Sequence, residues 1–241
     1  MSFTGLPRCR DWLPRVTEWR LACLDMAGTT IRDDGLVEQA FTVAFAGQGV
    51  APGTPEHERM LTWVGKTMGQ SRIEVFRMLL DGDEGRAQAA NETFEEAYGR
   101  LVDEGAVLPI PGAIEAIKVL RHAGVKVALT TGFARATQEA IVSALGWWSE
   151  VDLVLSPADA GRGRPFPDLV LVAAHRLGVD DIARVAVVGD TPLDLIAGRR
   201  AGAGLLVGVL TGVGDRTALR AAGATHVIGS IGELPGLLKI G

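Results

Sequence analysis

Short apolar runs alternate with helical patterns along most of the chain, and turn residues mark each change of period. Six runs read as buried strands: Arg20–Leu24, Val125–Leu129, Val151–Leu155, Val185–Val188, Gly204–Val209 and a last short edge strand at Thr225–Ile228. Brief apolar runs closed by polar or glycine-rich turns suit strands covered on both faces. Between them the period lengthens. Ala113–His122 places Ile114, Ile117, Val119 and Leu120 on roughly one face, and Gly124 supplies its stop. Arg135–Leu145, Asp168–Leu177 and Leu193–Ala201 follow the second, third and fourth strands. This alternation predicts right-handed crossovers and hence an α/β fold, a Rossmann-like doubly wound parallel sheet.

One stretch breaks the rhythm. Between Asp33 and Leu108 only helical patterns occur, at Val37–Gln48, Glu56–Val64, Gln70–Leu80 and Arg86–Asp103. The expectation is an all-helical cap domain at residues 33–108, inserted into a core domain formed by residues 1–32 and 109–241. Its hinges fall at Ile31–Leu36 and Leu108–Gly112, the second carrying Pro109 and Pro111.

The 241 residues are 47% hydrophobic and 22% charged, enough for one sizeable core and a smaller attached one. A net charge of −5, with no block of like charge, argues against a nucleic-acid partner. Two cysteines, Cys9 and Cys23, make neither a disulfide framework nor a zinc spacing. Cys23, within Leu21-Ala22-Cys23-Leu24, reads as a small core residue in a reducing compartment. Arg8, Asp11, Arg15 and Glu18 interrupt the apolar residues of the N-terminus, so no signal peptide is expected. No run approaches the roughly 20 apolar residues of a membrane span. The expectation is a soluble cytoplasmic protein without a membrane partner; a homodimer is compatible with the sequence.

In an open parallel sheet ligands sit beyond the carboxyl ends of the strands. There the chain places Asp25 with Gly28, Thr29 and Thr30, then Thr130, Thr131 and Gly132, then Gly163-Arg164-Pro165, then Gly189-Asp190-Thr191 with Asp194 four residues on. Carboxylates, hydroxyls, a glycine-flanked backbone and one cation at a single rim suit a divalent metal beside a phosphoryl group.

These four segments, in this order and over nearly the whole chain, resemble the haloacid dehalogenase superfamily of phosphotransferases. The resemblance implies Mg2+ and a small phosphorylated metabolite as substrate. It assigns Asp25 as a nucleophile that forms an aspartyl-phosphate. Thr131 and Arg164 correspond to the phosphoryl-binding hydroxyl and the cation. Asp190 corresponds to a metal-binding carboxylate, and Asp194 to a second acid that binds metal through water or orients its neighbours. The Ala27 carbonyl corresponds to a metal ligand alongside Asp25. The Met26 and Ala27 amides correspond to phosphate donors, with Gly132 beside them.

Two departures sharpen the resemblance. Ala27 stands where most phosphatases of the superfamily carry a second aspartate, the general acid and base. The form Asp25-Met26-Ala27-Gly28-Thr29-Thr30 instead resembles phosphonoacetaldehyde hydrolase and its phosphonatase-like relatives, in which a cap lysine forms an imine with the substrate aldehyde. In Met68-Gly69-Gln70-Ser71-Arg72-Ile73-Glu74, which looks like that cap segment, the imine position holds Arg72, and a guanidinium is no amine nucleophile. Lys66 lies six residues earlier. The favoured reading is hydrolysis of a phosphomonoester, with Arg72 and Lys66 as substrate contacts. The alternatives are carbon–phosphorus cleavage through Lys66 and a non-catalytic binding module. Of the four histidines, His57 in the cap is a candidate substrate contact; His122 and His175 fall near helix ends. Trp147-Trp148 reads as packing or an interaction surface.

Overall fold

The computed structural model describes residues 18–240, so Arg8, Cys9, Asp11, Trp12 and Arg15 lie outside the described residues. Six strands form one parallel sheet: β1 (Leu21–Asp25), β2 (Lys126–Thr130), β3 (Leu153–Leu155), β4 (Val185–Gly189), β5 (Leu205–Val209) and β6 (His226–Ile228). Their order is β3-β2-β1-β4-β5-β6. The chain builds outward from β1 on one side through β2 and β3, then returns to lay β4, β5 and β6 on the other. The topological switch point therefore lies between β1 and β4, which are hydrogen-bonded in register Leu21↔Val185 to Leu24↔Val188.

Every residue of β1, β4 and β5 is buried, which is why these runs read as continuously apolar. Successive side chains still divide between the two faces. Leu21 and Cys23 join Leu169, Ala173, Val185, Val187 and Leu195 in one core. Ala22 and Leu24 face the other, which runs on into the helical insert.

That insert comprises α1 (Leu36–Gly47), α2 (Pro55–Lys66), α3 (Arg72–Leu79) and α4 (Glu84–Asp103). Its centre is aromatic: Phe41, Phe45, Phe76, Phe94 and Tyr98 are buried together. Phe133, from the loop after β2, stands 4.6 Å from the Tyr98 ring and 6.4 Å from Phe94, centroid to centroid. The two connections to the sheet run side by side. Ile31 bridges Pro109, Arg32 N donates to Leu108 O at 2.8 Å, and Ile110 N donates to Thr30 O at 2.9 Å.

The remaining helices are α5 (Ala113–His122), α6 (Arg135–Ala144), α7 (Pro157–Ala160), α8 (Asp168–Arg176), α9 (Pro192–Ala201), α10 (Arg216–Ala222) and α11 (Leu234–Leu237). Three boundaries differ from the sequence pattern for local reasons. The third strand starts at Leu153, because Asp152 turns its carboxylate to accept Val127 N at 2.9 Å and pairs with Arg121 and Lys126. α3 starts at Arg72 and not at Gln70, because Gln70 is drawn into a parallel bridge with Arg164. α4 starts at Glu84, capped by Asp83, which accepts Arg86 N at 3.0 Å. Among the described residues no helix is long and apolar enough to cross a membrane.

Candidate active site

The ends of β1 and β4 bring Asp25 and Asp190 together at the switch point, and the first turn of α9 adds Asp194. Each of the three offers a carboxylate oxygen within 4.8 Å of the others, and all three are buried. Arg164, from the loop between α7 and α8, enters from the β2 side. Its guanidinium lies 2.6 Å from Asp25 Oδ1 and 2.8 Å from Asp194 Oδ1, and it donates to the carbonyl and hydroxyl of Thr130 at 2.9 and 2.8 Å. Burial opposes the charge on Arg164, but Asp194 and Asp25 outweigh it and hold the group above its ordinary range.

The carboxylates are not equivalent. Asp194 sits at the third position of α9 in a reciprocal cap with Thr191: its Oδ2 accepts Thr191 N at 3.0 Å and Thr191 Oγ1 at 2.6 Å. With Oδ1 on Arg164, both its oxygens are engaged. Burial pushes its pKa up to about 6 against the pull of Arg164. Asp190 accepts only from neutral donors, Thr29 Oγ1 at 3.3 Å and Val213 N at 2.9 Å. Burial, then the charges of Asp25 and Asp194, raise it well above the usual carboxylate range. Three buried carboxylates thus share one guanidinium, and Asp190 has no cationic partner among the described residues. Asp25, Asp190 and Asp194 could together hold a hard divalent cation, which would supply the missing charge, and Ala27 lines the same space.

The insert closes over this cluster. Met68, Gly69 and Arg72 line a small internal cavity with Asp25, Ala27, Thr131, Gly132, Arg164, Asp190 and Thr191. Its volume is about 20 Å³, room for one water and too little for a phosphoryl group. Arg72, Gly132 and Arg164 also line a groove of about 630 Å³ on the outer side. The partition between the two spaces is tight, since a Cβ on Gly132 would come within 2.3 Å of the Gln70 carbonyl oxygen. Thr131 is buried, and its Oγ1 accepts Phe133 N at 3.2 Å.

A family model for haloacid dehalogenase-like hydrolases matches residues 19–202, and all four polar segments fall inside it. The chain belongs to that family. Among similar proteins is the probable phosphatase IndB of Dickeya dadantii, 27% identical over 91% of this chain and 95% of its own. Phosphonoacetaldehyde hydrolase of Bacillus cereus is 33% identical over 78% of this chain and 74% of its own. The crystal structure of a hydrolase from Pseudomonas syringae superposes with a TM-score of 0.79, at 25% identity, over 91% of this chain and 98% of that one.

In this hydrolase the residues singled out from sequence divide. Asp25, Ala27, Thr131, Gly132, Arg164, Asp190 and Arg72 converge on the cavity, and Asp194 stands behind it. Met26 is buried directly beside Asp25, and its carbonyl accepts the amides of Thr29, Thr30 and Ile31. Lys66 is not brought to the cavity; it is exposed at the end of α2, because the chain turns inward only at Thr67. His57 is also not a cavity residue. It is buried inside the insert, edge-on to Phe45 and 3.1 Å from Thr42 Oγ1, so its role is packing. Cys23 is buried under Arg164, and burial pushes its thiol up to about 12.

The sequence pattern missed the loop after β5. Thr211 Oγ1 donates to Gly28 O at 2.7 Å, Val213 N to Asp190 Oδ2, and Gly214 N to Asp190 O at 3.0 Å. A Cβ on Gly212 would lie 2.0 Å from Asp190 Oδ2. The signal was there: Thr211-Gly212-Val213-Gly214 is a glycine-rich turn at the end of a buried strand.

Proposed function

We propose that this chain is a Mg2+-dependent hydrolase of a small phosphomonoester, working through a phosphoryl group carried on Asp25. The observation that carries the reading is the buried cluster at the switch point, where Arg164 holds Asp25 and Asp194 while Asp190 makes no ion pair among the described residues. Asp25, Asp190 and the Ala27 carbonyl would hold the ion, with Asp194 fixing Arg164 from behind. When bound, Mg2+ supplies positive charge against the repulsion between an anionic nucleophile and an anionic phosphate.

Asp25 is pinned by Arg164, which points one carboxylate oxygen and leaves the other to attack phosphorus. The phosphorus–oxygen bond to the leaving group then breaks with its electron pair. Thr131 and the amides of Met26 and Ala27 orient the phosphoryl oxygens, with the Gly132 backbone beside them. Water next attacks the acyl phosphate on Asp25, restoring the carboxylate and releasing inorganic phosphate. Sealing by the helical insert, residues 33–108 acting as a cap, keeps bulk water away during the first step.

Cleavage of a carbon–phosphorus bond has the names of several relatives in its favour. It requires an amine at the cavity, and the residue there is Arg72, while Lys66 is exposed. The phosphomonoester reading needs neither. The test is phosphate release from a panel of phosphomonoesters with and without Mg2+, in wild type and in Asp25→Asn. Loss of turnover on chelation and in the variant is expected; an Asp25→Asn enzyme with wild-type turnover refutes the mechanism.

A further inference from the structure

Arg72 is 4% exposed, yet it makes no ion pair among the described residues. No carboxylate lies within ion-pair distance among the described residues, and the guanidinium donates one hydrogen bond, from Nη1 to Gln70 O at 3.2 Å. Its Nε is buried without a partner. Aromatic rings stand around it, with Phe133, Phe94 and Phe41 at 5.0, 5.8 and 6.0 Å from the guanidinium carbon to the ring centroids. Such rings contribute cation–π attraction but accept no in-plane hydrogen bond.

The two acids that most favour its charge, Asp33 and Glu95, are hydrogen-bonded elsewhere, and Asp25 acts on it more weakly. Asp33 accepts Val37 N at 3.0 Å, and Glu95 accepts Ala134 N at 3.3 Å together with the Thr137 hydroxyl. Both still lie close enough to favour the charge on Arg72, but burial prevails and lowers the guanidinium below its ordinary range. A buried cation with free in-plane donors is costly unless something arrives to pair with it. Its place is informative. Arg72 lines both the cavity over Asp25 and the outer groove, so it borders the path of whatever is attached to a phosphoryl group at Asp25.

We infer that Arg72 binds a carboxylate on the leaving group, so that the substrate class is a small phosphorylated carboxylic acid. The inference rests on the phosphoryl site at Asp25 described above and names the substrate class for that same site. A planar guanidinium fork with free donors matches the two oxygens of a carboxylate, which an ammonium cannot reproduce. The narrow partition at Gly132 and Gln70 favours a short spacer between the two anionic ends.

The experiment compares binding of phosphonoacetate and ethylphosphonate, similar in size and differing in the carboxylate, to the Mg2+-loaded enzyme by calorimetry. Neither measurement needs turnover. Wild type is expected to hold phosphonoacetate about 10- to 100-fold more tightly, the range for a charge-assisted pair. In Arg72→Gln this advantage is expected to collapse to less than about 3-fold. Arg72→Lys, with the charge kept but the fork lost, should fall between, and serves if the glutamine variant does not fold. Equal binding of the two compounds by wild type overturns the inference. So does equal weakening of both in the variants, which would make Arg72 a phosphate or structural residue. If wild type binds neither compound, the phosphoryl-site reading itself fails.

Discussion

Substituting Gly132 by alanine tests whether closure of the insert over Asp25 matters to the chemistry. Gly132 is outside the left-handed backbone region, so alanine there carries no conformational strain of its own. The consequence is steric. The new Cβ would lie 2.3 Å from the Gln70 carbonyl oxygen and 3.1 Å from its carbon. Carbon and oxygen in weak contact keep about 3.3 Å, so the Gln70–Arg72 segment has to retreat by about 1 Å. The obstacle is backbone tied to Arg164 by the bridge at Gln70, so no side-chain rotation relieves it. That retreat moves Arg72 and loosens the seal above the nucleophile. Misplacement of this size costs on the order of 100-fold in rate. The overlap is confined to one loop contact, so the unfolding free energy should fall by no more than about 1–3 kcal/mol.

Steady-state kinetics on an aryl phosphate, with urea melts beside them, separate the two effects. Gly65→Ala is the control, since a Cβ there meets nothing within 4 Å. It should leave kcat unchanged, and a helix-interior alanine is favoured by about 1 kcal/mol. A Gly132→Ala enzyme with kcat/KM within twofold of wild type would refute the reasoning. A rate loss that merely tracks unfolding would refute it equally.

Two further outcomes follow from groups near the cavity. Glu95 caps the start of α6, which has no side-chain cap of its own, and burial holds its carboxyl above the ordinary range. Its contribution to stability is therefore fully present below the unfolded pKa of about 4.3 and lost as pH rises through the folded value. The stability advantage of wild type over Glu95→Gln should shrink as pH rises above about 4.3 in urea melts; a constant or growing advantage contradicts it. Separately, the cavity offers only Asp25, Asp190, Arg72 and Arg164 as titratable lining groups, none of them a free proton donor for the leaving group. Across aryl phosphates, kcat/KM should fall steeply with leaving-group pKa, by about 100-fold or more from the best to the worst; a flat profile would reveal a general acid elsewhere.

The sheet was legible in the sequence because its strands are short apolar runs buried on both faces. Helices with a single apolar face were legible too, to within one or two residues. What escaped was tertiary in origin. Ser71, three residues before Glu74, does signal a helix start at Arg72, but nothing local shows that Gln70 is held as extended backbone beside Arg164. At the site, Asp25, Thr131 and Asp190 are visible as polar residues at or just after strand ends, and Arg164 in the Gly163-Arg164-Pro165 turn further along the loop. Lys66 was misplaced because sequence distance from Arg72 says nothing about which way a helix end faces. The difference between Asp190 and Asp194 could not be read either, since it depends on which carboxylate Arg164 reaches. His57 shows the converse, a titratable residue in the right segment whose side chain points into the packing of the insert.

Only about 20 Å³ lies over Asp25, so on the proposed mechanism a phosphoryl group enters only when the insert moves. The contacts that seal the groove side are few and polar: the Gln70–Arg164 bridge, a long bond from Arg72 N to Gly132 O at 3.4 Å, and the Glu95 cap on α6. Single hydrogen bonds of this kind are worth about 1 kcal/mol net. Phe133, which lines the groove beside Gly132, is itself fully buried against Phe94 and Tyr98, and aromatic burial of that extent is worth several times more. Beside it, the two connecting segments are bonded to each other through Ile31, Arg32, Leu108 and Ile110. The polar contacts should part first, at the Gln70 edge, while the two connecting segments act as the pivot. The partition at Gln70 and Arg72 itself lie where those polar contacts part. The residue that closes the cavity is thus placed to respond to what has entered it.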